Sequence, residues 1–225
     1  MMYYLLVGIF ICLMCGELQG SFRKKYEDKE KCPKVKAIRN FLLEELLGKW
    51  YVIEYYASSE EALSYRCMRA DFTTTSLQDV TMNFTYSFTD DPINEILVGN
   101  ITWTIPSLGR PAHWVHSEDT YEGVYNTYVL DSDYKSWALL LHCAEKKKVP
   151  RYLSSFIMSR KPTLGINEKA YLRDKLPRYD IDVSYLFDMS QDNCNVPSVD
   201  NIPPPLLMNR KEPSTRRHPM KHIHG

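Results

Sequence analysis

Apolar and polar residues alternate along most of this chain in short runs that are typical of β-strands. The runs are rich in Val, Ile, Tyr, Phe and Thr, and turn residues such as those at 90–92 and 107–109 separate them. Regular short strands with close turns predict an antiparallel barrel or sandwich rather than an alternating strand and helix array. The eight predicted strands are 49–56, 66–75, 80–88, 95–105, 111–117, 123–130, 136–144 and 153–160.

Helical spacing is confined to two segments. Between residues 32 and 47 apolar residues recur every three or four positions, which predicts a short helix that Gly48 ends. A second helix is predicted over 167–176, with Pro177 as its stop. The chain is therefore mostly β-structure with one helix after the last strand.

The two ends of the chain differ from its middle. Residues 1–20 contain an apolar block that is too short to span a bilayer comfortably, so we expect a signal peptide and a secreted protein without a membrane span. Residues 195–225 combine prolines, basic residues and three histidines without apolar periodicity, which predicts a disordered tail. Residues 21–194 are long enough to form one domain with its own core.

Cysteines and sequons agree with the secretory pathway. Four widely separated cysteines follow the apolar block, a spacing that argues against a zinc site and leaves three disulfide connectivities open. They are Cys32, Cys67, Cys143 and Cys194. Asn83 and Asn100 each begin a glycosylation sequon.

Charge and motifs give no support to nucleic-acid binding or catalysis. The formal net charge is zero, so there is no electrostatic argument for a nucleic-acid partner. His113 and His116 are three residues apart on a predicted strand, which places them on opposite faces and argues against shared metal binding. Glu54 on an aromatic strand could be a general base, but a structural, hydrogen-bonded carboxylate is the stronger interpretation. We expect no enzyme, no metal site and no cofactor.

Three motifs together carry a family resemblance. Gly48-Lys49-Trp50-Tyr51 opens the first strand, Ser132-Asp133-Tyr134 follows a Tyr- and Val-rich strand, and Arg160 ends the last strand. This arrangement resembles the lipocalins, in particular the apolipoprotein D and Lazarillo-like group. The resemblance implies an all-β, eight-stranded antiparallel up-and-down barrel with a C-terminal α-helix. It also implies that Arg160 packs across Trp50 at the closed end of the barrel, beside the loop of Asp133 and Tyr134.

The resemblance further implies a function and a disulfide pattern. The disulfides would be Cys32–Cys143 and Cys67–Cys194. The protein would be an extracellular carrier of a small hydrophobic ligand, such as a fatty acid, a sterol or other isoprenoid, a retinoid or a bilin, with a cell-surface receptor as a candidate partner. The alternative hypothesis is a secreted interaction protein that has a filled barrel and acts through its surface or basic tail.

The sequons also predict which strand positions face the pocket. A glycan cannot point into a closed barrel, so alternation places Asn83, Thr85 and Ser87 outside on one strand and Asn100 and Thr102 outside on the next. The inward positions supply five candidate ligand contacts, and two tyrosines with an apolar body and a hydroxyl complete the set. The candidates are Phe84, Tyr86, Leu97, Ile101, Trp103, Tyr56 and Tyr128. Those near the closed end could instead pack core with Trp50.

Overall fold

Eight antiparallel strands close into a barrel in the computed structural model of this chain. Each strand pairs with the next, and β1 pairs with both β8 and β2 to complete the circle. The strands are β1 Gly48–Ala57, β2 Tyr65–Thr73, β3 Asp79–Phe88, β4 Leu97–Thr104, β5 His113–Glu118, β6 Tyr121–Ser132, β7 Trp137–Ala144 and β8 Tyr152–Ser159. A short strand β9, Phe187–Asp188, pairs with the second half of β1. The predicted eight-stranded barrel with a C-terminal helix is confirmed.

The structure describes residues 29–59, 64–93, 95–118, 121–145 and 148–194. The described residues as far as Asp192 belong to one compact unit. The predicted signal peptide at 1–20 and the predicted tail at 195–225 lie outside the described residues and stay predictions. In the part of the chain that is described, no helix has the length and apolar character needed to cross a membrane.

Among the described residues, two α-helices flank the barrel, and only the second has the predicted length. Helix α2, Ile166–Lys175, follows β8 closely as the sequence indicates. Helix α1 is only Leu43–Leu46, so the predicted helix from residue 32 is wrong for most of its length. The preceding segment is non-helical and packs Val35 and Ile38 into different apolar clusters, because tertiary packing outweighs the cost of starting an isolated helix.

Apolar side chains form two layers, one inside the barrel and one beneath α2. The inner cluster fills the closed end, where β1 begins and β8 ends, with Trp50, Trp114 and Leu140 among its members. The outer cluster packs Leu172 and Leu176 of the helical region against Leu139 and Ile157 of the barrel wall. Because both faces of β7 and β8 are buried, neither strand alternates between apolar and polar residues. β7 is apolar except for His142, and the three serines of β8 are themselves buried.

A β-bulge between Val52 and Glu54 changes the alternation along β1. Trp50 and Val52 belong to the inner cluster before the bulge, and Tyr55 and Ala57 belong to it afterwards. One extra residue in a strand shifts every later side chain to the opposite face. The bulge therefore decides which of the tyrosines of β1 face the barrel interior.

Candidate ligand-binding cavity

A cavity of about 720 Å³ lies in the open half of the barrel, where β1 ends and β8 begins. Trp103 lies at its inner end, and its ring packs on Trp114 with 5.7 Å between ring centroids. Met82, Ile101 and Phe156 line the wall. A concave, mainly apolar site of roughly 300–1,000 Å³ is typical of small-molecule binding.

The predicted contact residues are divided between the cavity wall and the rest of the open end. Ile101 and Trp103 line the cavity. Phe84 and Tyr86 share the inward face of β3 with Met82, but they stack on each other, 6.1 Å between ring centroids, and do not line the cavity. Leu97 is half-buried opposite Tyr86. Contact between a ligand and any of these five residues remains a prediction.

The prediction that Tyr56 and Tyr128 contact the ligand is corrected by the structure, because neither side chain faces the cavity. Tyr56 is buried in the cluster beneath α2, since the bulge in β1 places it on the outer face of the barrel. Tyr128 packs against the same cluster and stacks on His113, with 4.6 Å between ring centroids. Its strand turns Thr127 and Val129 inward, so the residue between them points outward.

The sequence interpretation missed His142, which lines the cavity from β7. Its Nδ1 is 2.7 Å from the hydroxyl of Thr127. The ring centroids of Trp103 and Phe156 lie 6.1 and 5.1 Å from the centroid of the His142 ring. Desolvation by these neighbours lowers the pKa of His142 from 6.5 to about 4, so the imidazole is neutral at pH 7. The alternation of Ala138, Leu140 and His142 was the signal that could have identified it.

A paired guanidinium lies at the mouth of the cavity. Arg151 lines the cavity, and its side chain is only 2% exposed. Its Nη2 donates to Oδ2 of Asp180 at 2.9 Å. Partial burial opposes ionisation of Asp180, but hydrogen bonds from Lys29 and Arg151 outweigh it and lower the pKa of this carboxyl. The charge of Arg151 is thus balanced by protein rather than directed at a ligand.

Arg160 packs across Trp50 at the closed end. The guanidinium carbon lies 3.8 Å from the centre of the Trp50 ring. The same guanidinium donates to the carbonyl oxygens of Tyr134, Lys49 and Glu45 at 3.1, 2.9 and 3.0 Å. It thereby joins three separate segments that meet beneath the cavity.

Local geometry explains the other residues of this closed-end motif. Gly48 has φ +89°, a conformation that is strained for residues with a side chain. Oδ1 of Asp133 accepts from the backbone N–H groups of Ser136 and Trp137, both at 2.8 Å. Partial burial disfavours its charge, yet these bonds lower the pKa of Asp133. The Tyr134 hydroxyl accepts from the backbone N–H of Leu42 at 3.2 Å.

The described cysteines are all oxidised. Cys32 is bonded to Cys143, which fixes the N-terminal segment to β7. Cys67 and Cys194 are also disulfide-bonded. Their pairing with each other, implied by the family resemblance, stays a prediction.

The two sequons lie directly opposite each other on the outer face of β3 and β4. Asn83 pairs in register with Asn100, and Asn100 and Thr102 are exposed. Thr85 and Ser87 were expected to face solvent, but they are only 2% and 4% exposed. Both pair with residues that flank a bulge in β2, and the chain near Ser190 packs against that bulge, so this part of the outer face is covered. Glycosylation itself stays a prediction.

The remaining candidate groups do not form a catalytic site in the cavity. Glu54 is fully buried on the outer side of the barrel wall, where its Oε1 accepts a hydrogen bond from Arg173 at 3.0 Å. Burial raises the pKa of Glu54, and the positive charges of Arg173 and Lys169 oppose that rise. His113 faces outward and His116 lines the cavity, on opposite faces of β5. No group of three or more metal-ligating side chains occurs among the described residues.

Comparisons with known proteins agree with this architecture. No protein-family model matches the chain. The chain is 28% identical to apolipoprotein D of Bos taurus over 168 residues, which is 73% of this chain and 84% of that protein. Lobster apocrustacyanin A1 superposes with a TM-score of 0.53 at 18% identity, covering 66% of this chain and 78% of the other. Apocrustacyanin C1 superposes with a TM-score of 0.56 at 17% identity, covering 72% and 92%.

Proposed function

We propose that the chain is a lipocalin similar to apolipoprotein D and that it is a secreted carrier of one small hydrophobic ligand, held inside the barrel. The observation that carries the proposal is the cavity of about 720 Å³ bounded by Trp103, Ile101 and Phe156. A ligand that buries about 400 Å² of apolar surface there gains roughly 10 kcal/mol, from which association costs of roughly 4 kcal/mol or more are subtracted.

The surroundings of the cavity favour carriage over chemistry. The wall carries a neutral imidazole, that of His142, and the nearby guanidinium of Arg151 is paired with Asp180. The disulfides support secretion, because such bonds persist in oxidising compartments. The unfilled volume favours a carrier over an interaction protein with a filled barrel.

A matched pair of variants on β4 tests the proposal. Ile101→Arg introduces a charge into the apolar wall, whereas Thr104→Arg introduces the same side chain at an exposed position of the same strand and leaves both sequons intact. Native mass spectrometry of the protein secreted from eukaryotic cells should find a bound small molecule in the wild type and Thr104→Arg. Ile101→Arg should carry little or none.

Two results would contradict carriage. The first is a wild-type protein that is secreted without any bound molecule and takes up none of a panel of fatty acids, sterols and retinoids. The second is equal loading of Ile101→Arg and the wild type, with circular dichroism showing that both are folded. Ala144→Phe is a second cavity variant without charge, in case Ile101→Arg does not fold. Ala144 also lines the cavity.

A further inference from the structure

The His142 imidazole is a polar group on the cavity wall that packs against two aromatic rings. It lies on the inward face of β7, between the rings of Trp103 and Phe156, so any molecule that fills the cavity meets it. Its one hydrogen bond within the described residues joins Nδ1 to the Thr127 hydroxyl. The chemistry of the cavity therefore depends on whether the second ring nitrogen, Nε2, donates or accepts.

The hydrogen bonds of Thr127 decide the tautomer. Thr127 is fully buried, and Nδ1 of His142 is the only partner of its hydroxyl in the described chain. If Nδ1 carried the proton, Thr127 would accept and its own hydroxyl hydrogen would be buried without an acceptor, which is costly. If Thr127 donates to an unprotonated Nδ1, that hydrogen is satisfied. Because the imidazole is neutral, its single proton then resides on Nε2.

The Nε2–H group is available to a ligand. Nε2 takes no hydrogen bond among the residues that the structure describes. Nε2 is also not one of the fully buried side-chain polar atoms that lack a hydrogen-bond partner, so this unpartnered nitrogen retains accessible surface. Since His142 lines the cavity, the accessible side of Nε2 faces the cavity space.

We propose that His142 is the polar anchor of the binding site and that its Nε2–H donates to an uncharged oxygen, a carbonyl or hydroxyl, on an otherwise apolar ligand. The inference rests on the proposed carrier function and narrows its ligand class. A carboxylate is disfavoured at this position because the neutral ring gives it no counter-charge, and the Arg151 charge is already paired with Asp180. Ketones, aldehydes and alcohols of isoprenoid or sterol type fit the site better than fatty acids bound head-inward.

A matched series of retinoid probes tests this specificity. The probes are all-trans-retinal, all-trans-retinoic acid and the corresponding hydrocarbon with a methyl group in place of the aldehyde, each titrated by quenching of Trp fluorescence. The wild type should bind retinal about tenfold more tightly than the hydrocarbon, the effect of one buried hydrogen bond. It should also prefer retinal to retinoic acid.

Two variants assign the effect to His142. His142→Phe keeps a ring of similar size but has no donor, so it should bind the hydrocarbon as the wild type does and lose the preference for retinal. His113→Phe makes the same change on the outer face and should leave the preference intact. Thr127→Val removes the hydroxyl that holds the tautomer and should weaken the preference, which provides a second test if His142→Phe does not fold. A preference for retinal that survives in His142→Phe would overturn the proposal.

Nitrogen NMR of the ligand-free protein tests the tautomer independently of binding. The ¹⁵N shifts of the His142 ring should show a protonated Nε2 and an unprotonated Nδ1 at pH 7. A protonated Nδ1 would overturn the anchor even if the barrel carries a ligand. If Nε2 is protonated but the wild type binds none of the three probes, this ligand class is refuted, and the carrier function is then decided by the Ile101 and Thr104 variants.

Discussion

Replacing Arg160 tests how the closed end of the barrel is held together. The guanidinium lies 3.8 Å from the Trp50 ring centre and donates to carbonyls of Glu45, Lys49 and Tyr134. The cation–π contact contributes about 1 kcal/mol at this half-buried site. Three hydrogen bonds at roughly 0.5–1 kcal/mol net each bring the total to about 3 kcal/mol. Arg160→Ala should therefore lower the free energy of unfolding by about 3 kcal/mol.

Arg160→Lys separates the stabilisation due to the positive charge over Trp50 from that due to the hydrogen bonds of the planar guanidinium. A lysine keeps a cation close to the indole, but its single ammonium cannot reach three carbonyls in three segments as the planar guanidinium does. We expect this variant to lose about half as much stability as Arg160→Ala. Arg178→Ala is the control, because Arg178 is exposed and should change stability by no more than about 0.5 kcal/mol.

Urea denaturation under non-reducing conditions, followed by circular dichroism and Trp fluorescence, measures these differences. The m-value should stay constant if each variant unfolds from the same folded state. The reasoning is refuted if Arg160→Ala is as stable as Arg178→Ala. If Arg160→Lys matches the wild type, the charge over Trp50 accounts for the whole effect and the three carbonyl contacts contribute nothing measurable.

Four further changes have defined outcomes. Gly48→Ala should cost about 1–2 kcal/mol in urea denaturation because φ at this position is +89°; an unchanged midpoint would contradict this. The Cys32→Ser/Cys143→Ser pair opens a link between residues 111 apart and should cost about 2–5 kcal/mol, whereas retention of the wild-type melting temperature would count against a stabilising role. The pKa of His142 is about 4 in the folded protein and 6.5 in the unfolded reference, so the unfolded state binds more protons between these pH values. The free energy of unfolding should therefore fall by up to about 3 kcal/mol as the pH drops from 7 to 4. His142→Phe should lack this part of the loss, and identical pH profiles for the variant and the wild type would refute the assignment. Gly99→Val should displace the Phe84 ring, because a Cβ at residue 99 would clash with that ring, and an unchanged near-ultraviolet circular dichroism spectrum would show that the ring is not held there.

The strands were predictable because their signal is local. On β3 and β4 the alternation around Asn83 and Asn100 placed Met82, Ile101 and Trp103 inside, and neither strand has a bulge in their mutual pairing. Helix α2 was also predicted to within one residue at each end, since Pro177 marks its stop. The short spacing of strands and turns is enough to indicate an antiparallel barrel.

The predictions from sequence were wrong where several segments compete for the same packing surface. The segment before Gly48 has helical spacing, yet its residues pack separately into the inner and outer clusters. Tyr56 was assigned to the pocket, but the bulge at Val52 and Glu54 moves it beneath α2. A bulge is set by pairing with a distant strand, so period-two reasoning along one strand cannot locate it.

The sequence by itself therefore determined the barrel, the closed-end motif of Trp50 and Arg160, and the inward face of the two strands that carry sequons. These features depend on residue type and short spacing. Only the tertiary structure decided where the cavity lies, which tyrosines it excludes, and that His142 is on its wall. The protonation state and hydrogen bonding of His142 depend on Thr127, Trp103 and Phe156, which come from three other strands. Their proximity follows from closure of the barrel, a property of the folded chain that no local pattern encodes.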